Sequence, residues 1–113
     1  MKVYEFAEKL GMKVLTGENG LDREVAGIYP CDLLSWAMSH AGKGDAWITV
    51  HTHLNVVAVA MLVEIACIVI PEGIEVDTAT IAKANEENLP ILSTDMSAYE
   101  ICWRGHAAVN PAI

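Results

Sequence analysis

The chain has 113 residues, the size of one domain. Its 53% hydrophobic content supports a packed core and excludes a disordered chain. Fifteen acidic residues against seven basic ones give a formal net charge of −8, with no Lys/Arg cluster, which excludes a nucleic-acid backbone or an anionic membrane as the main partner.

Val3, Phe6, Ala7 and Leu10 recur at helical spacing, and Gly11 stops this first helix. Residues 13–16 form a short strand, and Gly17-Glu18-Asn19-Gly20 is a turn. Residues 23–29 read as a strand closed by Pro30. Residues 31–41 read as a helix with Leu33, Leu34, Ala37, Met38 and Ala41 on its apolar stripe. Gly42-Lys43-Gly44-Asp45 breaks it, and residues 46–50 form the next strand. Thr52 is placed to cap a helix over 54–64. That helix is apolar nearly all round and needs cover on more than one side. Residues 66–70 form a fully buried strand. The apolar run 56–70 is too short to cross a bilayer, and Glu64 interrupts it. Asp77 caps a helix over 78–88, and residues 89–93 form a strand. Ser97-Ala98-Tyr99-Glu100 is a capping box that starts the last helix. The tail after His106 is expected to fray.

Strands and helices alternate from Arg23 onward, without linker or repeat. The expected fold is a single-domain α/β sandwich, a largely parallel sheet covered by helices. The domain is placed at residues 1–108, with 109–113 as a tail.

Parallel strands bring their carboxyl ends to one edge, where open α/β sheets bind ligands. Tyr29, Thr52 and Glu72 arrive there. So do Asp32, His51, His53, Asn55, Ser93, Thr94 and Asp95, the predicted ligand-binding set. Free backbone N–H groups at the following helix starts favour an anion. The competing reading makes these residues caps and turn formers. His51-x-His53 on a strand would point to one side and chelate a metal with Asp32 or Asp95. Sequence alone places no third ligand, so no metal or cofactor is predicted.

Catalytic motifs are missing. Gly42-Lys43-Gly44 lacks the upstream glycine and the Ser/Thr of a phosphate loop and precedes a strand instead of following one. No Gly-x-Gly-x-x-Gly or Gly-x-Ser-x-Gly is present, and the serines fall on helices or at caps. No catalytic residue is predicted and the chain is read as not an enzyme. Cys31, Cys67 and Cys102 form no Cys-x-x-Cys pair. The odd count, with no signal peptide, fits a cytoplasmic location. Cys67 and Cys102 read as buried apolar groups, and Cys31 as a residue at a helix start that favours a thiolate. Trp36 and Trp103 lie off the apolar faces of their helices. With the apolar helix 54–64 they point to a homodimer.

One set of segments resembles a known family. It comprises Asp22-Arg23 with Gly27, then Tyr29 and Asp32-Leu33-Leu34-Ser35, then Gly44-Asp45-Ala46-Trp47-Ile48-Thr49 running into His51-Thr52-His53-Leu54-Asn55. Ile70-Pro71-Glu72-Gly73, Pro90-Ile91-Leu92-Ser93-Thr94 and Ser97-Ala98-Tyr99-Glu100 complete it. In order and spacing these resemble the DRTGG domain and, through it, the N-terminal domain of HPr kinase/phosphorylase. The name-giving motif departs here, with Glu24-Val25-Ala26 between Arg23 and Gly27. The resemblance implies a fold similar to the N-terminal domains of MurE/MurF ligases. It also implies a non-catalytic regulatory module that dimerises and senses a small, nucleotide or phosphorylated, effector. Its alternative is an interaction module with a protein partner in a larger metabolic or hydrogenase-linked system.

Overall fold

The computed structural model describes residues 1–111. Its elements are α1 (Val3–Leu10), β1 (Lys13–Val14), β2 (Gly27–Pro30), α2 (Leu34–His40), β3 (Asp45–Ile48), α3 (Leu54–Val63), β4 (Cys67–Ile70), α4 (Thr78–Glu86), β5 (Ile91–Ser93) and α5 (Ala98–Val109). The sheet order is β1-β5-β4-β3-β2. Strands β2 to β5 are mutually parallel, and β1 joins β5 antiparallel at the edge.

Side chains alternate across a strand, so each face of this sheet collects every second residue. Tyr29, Trp47, Ile68 and Ile91 stand in register across four strands. Trp47, Ile68, Ile70 and Ile91 pack with Val56, Val57 and Ala60 of α3 and Ala84 of α4. Ala46, Ile48, Cys67, Val69 and Leu92 face the other way, onto Val3 and Phe6 of α1 and Ile101 of α5. The result is an α/β/α sandwich with a core on each side. Strand β4 is buried at every position, which is why its sequence is apolar without alternation. On α5, Gly105 lets the helix approach closely: a Cβ there would lie 3.0 Å from Ile28 Cδ1 and 3.3 Å from Phe6 Cζ.

Several boundaries differ from the sequence reading. Strand β2 starts at Gly27 instead of Arg23, because Val25 N and Ala26 N donate to Met1 O and Gly44 O outside the sheet ladder. Helix α2 starts at Leu34, so Cys31 does not open it. Residues 31–33 run on from β2, with Cys31 N donating to Ile48 O and Cys31 O accepting from Trp47 Nε1 at 2.9 Å. His53, not Thr52, is the N-cap residue of α3, and no side chain caps that end. Asp77 precedes α4 as expected, but its carboxylate caps nothing. Ser97 does accept from Glu100 N at 3.2 Å. Helix α5 does not fray after His106, because Ala108 is buried in the core and holds the last turn to Val109. Around α3, Val56, Val57, Val59 and Ala60 are covered, while Leu54 and Leu62 stay exposed.

Ile68 is fully buried between strands and α3. Ile68→Ala is expected to cost about 3 kcal/mol in urea unfolding, against under about 0.5 kcal/mol for Leu62→Ala on the exposed face. Equal costs would contradict this core assignment.

Candidate functional site

Helices α2, α3 and α4 each return from one parallel strand to the next and α5 follows the last strand, so all four begin at the carboxyl edge of the sheet. Their positive dipole ends and first N–H groups collect there.

The best-ordered part of that edge is built on Asp32. Its Oδ1 accepts from the Thr49 hydroxyl and from Val50 N, both at 3.0 Å. Thr49 Oγ1 in turn accepts from His51 N at 3.3 Å. His51 Nε2 is hydrogen-bonded to the Asp32 carbonyl. A carbonyl only accepts, so Nε2 carries the proton and Nδ1 holds the lone pair when the ring is neutral. Thr49 is 1% exposed, and its partners satisfy it, as a buried hydroxyl requires. Beside this cluster lies a cleft of about 150 Å3 bounded by Asp32, Thr49, Val50, Pro71 and Ala98.

The other predicted residues stand in separate groups. His53 Nδ1 meets Asp77 Oδ2 at 2.8 Å, tying the start of α3 to the start of α4. Thr80 Oγ1 donates to Thr52 O at 2.7 Å across the same junction. Asn55 is exposed on the first turn of α3. Ser93, Thr94 and Asp95 border a different cavity of about 360 Å3, with Gly11, Lys13 and Met96. Thr94 O accepts from Gly73 N at 2.9 Å, and Thr94 Oγ1 from Met96 N at 3.2 Å. Gly73 has φ +65°, which favours glycine, and a Cβ on it would displace the exposed Asp95 carboxylate 2.9 Å away.

The structure therefore joins Asp32 to His51 and Ser93 to Asp95, and it sends His51 and His53 to different partners. The chelation argument fails locally, because β3 ends at Ile48 and residues 51–53 are not a strand. Among the described residues no group of three or more His, Cys, Asp or Glu is placed to hold a metal ion. Sequence reasoning missed Thr49, which orders the loop. Its signal was a hydroxyl at the end of an otherwise apolar buried strand. It also missed a larger cavity of about 590 Å3 at the opposite edge, beside Arg23 and Lys43.

None of the cysteines is set up as a nucleophile by a helix start. The Cys31 thiol donates to Leu33 O at 3.4 Å. Burial pushes the Cys67 thiol up to about 12, with Arg23 opposing weakly. Burial also raises Cys102.

Fold and edge geometry together define a small α/β domain with a five-stranded, mostly parallel sheet. The DRTGG domain model matches residues 5–108, and the chain belongs to that family. A similar solved structure is the CBS and DRTGG domains of the regulatory region of Clostridium perfringens pyrophosphatase, complexed with its activator diadenosine tetraphosphate. The TM-score is 0.71 at 12% identity, over 93% of this chain and 47% of that one. The fold is shared, and this chain spans about half the length of that structure. No curated protein matches the chain. Among the described residues, no helix is long and apolar enough to cross a membrane.

Asp32→Ala removes the acceptor of a buried hydroxyl and a backbone N–H, and is expected to cost about 1–3 kcal/mol. Asp32→Asn keeps an acceptor and should cost less. Urea unfolding and hydrogen exchange at the Val50 amide check both. For Cys67, the folded and unfolded chains are both protonated below about 9. Above that value only the unfolded chain readily loses the proton, so this thiol makes stability fall as pH climbs toward about 12. At pH 8 without denaturant, a thiol reagent should label Cys31 well before Cys67; equal rates would show that β4 opens.

Proposed function

We propose that this chain is a non-catalytic regulatory module. In this reading the carboxyl edge of the sheet, along which Asp32, His51, His53, Asn55, Ser93, Thr94 and Asp95 stand in separate groups, takes a small phosphorylated or nucleotide ligand, and the chain works as a homodimer.

The observation that carries this reading is the loop after β3. It is held by Asp32 through Thr49 and Val50, at the edge where four helix starts converge. A loop ordered before the ligand arrives loses little freedom on binding. Two acidic side chains at this edge are already engaged, Asp32 with Thr49 and Val50, and Asp77 with His53. The N–H groups and dipoles of the helix starts favour an anion there. The regulatory role follows family membership and the nucleotide-activated regulatory region that shares the fold.

A second reading, a protein-interaction module, is favoured by one feature. Leu33, Trp36, Met38, Val50, Leu54 and Tyr99 are large, apolar and exposed. They lie on α2 or near the starts of α2, α3 and α5. Trp36 is stacked on His40 at 3.8 Å, which fixes its orientation. Exposed, ordered aromatics of this kind anchor protein contacts.

Two experiments separate the readings. Adenine nucleotides and phosphorylated metabolites are screened by thermal shift, with His51→Ala and His53→Ala as controls. A ligand at about 100 times its Kd should add about 2.7 kcal/mol of stability, and the controls should lose it. A broad panel with no ligand-dependent shift would overturn the sensing role. Light scattering at tens of micromolar should give a dimer mass that Trp36→Ala reduces. A monomer mass for the unaltered chain would remove the dimer.

A further inference from the structure

The amino edge of the sheet carries the largest cavity described, about 590 Å3, a volume typical of small-molecule sites. Three chain segments form it and are tied together by backbone bonds. Ala26 N donates to Gly44 O at 2.8 Å, and Gly44 N to Glu64 O at 2.9 Å. Arg23 Nη1 donates to Ile65 O at 3.0 Å. The cavity is therefore preformed. Gly27 shows how tight this corner is, since a Cβ there would sit 2.7 Å from Asp45 Oδ1. That carboxylate is held by Gly42 N at 2.7 Å.

Charge decides what fits. Glu64 is paired with Lys43 at 3.1 Å. Glu24 is paired with the Met1 amino group at 2.8 Å and with Lys2 at 3.3 Å. The Met1 ammonium, then Lys2, hold the Glu24 carboxyl below the usual range. Among the described residues Arg23 forms no salt bridge, and only a carbonyl receives its guanidinium. It is the uncompensated charge of this cavity, in a chain whose net charge is −8. Arg23 is half-buried, and Met61, Ile65 and Ala66 supply an apolar wall beside it. A planar fork of donors next to an apolar wall suits a carboxylate on an apolar body. Glu24 and Glu64, which also line the cavity, disfavour a second negative charge.

We propose that this cavity is a second ligand site, distinct from the carboxyl-edge crevice, and that it takes a small monocarboxylate with an apolar body, with Arg23 as the anion clamp. The motif segment Asp22-Arg23-Glu24-Val25-Ala26-Gly27 then has a binding role in addition to its turn geometry.

The test is an NMR titration of the isotope-labelled full chain with phenylacetate, compared with phenylacetamide and inorganic phosphate. Saturable shifts are expected at the Arg23 side chain and at the Gly44 and Ala66 amides with phenylacetate only. Arg23→Lys should weaken binding about tenfold, by loss of the bidentate contact. Ala26→Phe, at an exposed position on the mouth, should block binding while the rest of the spectrum stays unchanged. The proposal is overturned by no saturable shift at millimolar phenylacetate, by equal binding of the amide or of phosphate, or by full binding to Ala26→Phe. Shifts confined to Thr49, Val50 and His51 would also overturn it, by placing the probe at the opposite edge.

Discussion

Burial of β4 on both faces is the constraint on which the rest of this structure depends. Cys67, Ile68, Val69 and Ile70 have no exposed side, so helices must cover both faces of the sheet. A chain that covers both faces of a parallel sheet returns by a helix after every strand. That requirement places every crossover helix start at one edge and the strand-entering turns at the other. The two edges are thereby chemically unlike before any side chain is considered.

The carboxyl edge receives the positive ends of four helices together with acidic side chains that bond inward. The amino edge receives helix ends and glycine-rich turns, and there, among the described residues, the Arg23 guanidinium forms no salt bridge. Asp32 and Arg23 play parallel parts. Each fixes a loop by bonding backbone groups far away in sequence, Asp32 to Val50 and Arg23 to Ile65. A domain built this way keeps these loops ordered.

Much of the fold was legible along the chain. The 3.6-residue spacing of Val3, Phe6, Ala7 and Leu10, the unbroken apolar run of β4 and the Ser97 cap each identified their element, because these signals are local. Boundaries that depend on distant partners were misplaced. Arg23 to Ala26 reads as strand by composition, yet its N–H groups bond Met1 and Gly44. Cys31 reads as a helix start, yet Ile48 and Trp47 hold it extended. The candidate site was legible only in outline. Asp32 and His51 lie 19 residues apart and meet through one hydrogen bond. Thr49, which links them, looks in the sequence like one more strand residue.

Composition, periodicity and turn chemistry were enough to determine one acidic α/β domain, its run of elements, and the edge at which its polar residues gather. These properties follow from neighbours a few residues apart. Only the packed structure decided that His51 and His53 face different partners and that the seven polar residues fall into separate groups. The same packing leaves Arg23, among the described residues, outside any salt bridge and beside the apolar wall of a cavity. Those outcomes depend on which side chains meet across the sheet, and the energy of a hydrogen bond or an ion pair exists only once the two partners have been brought within reach.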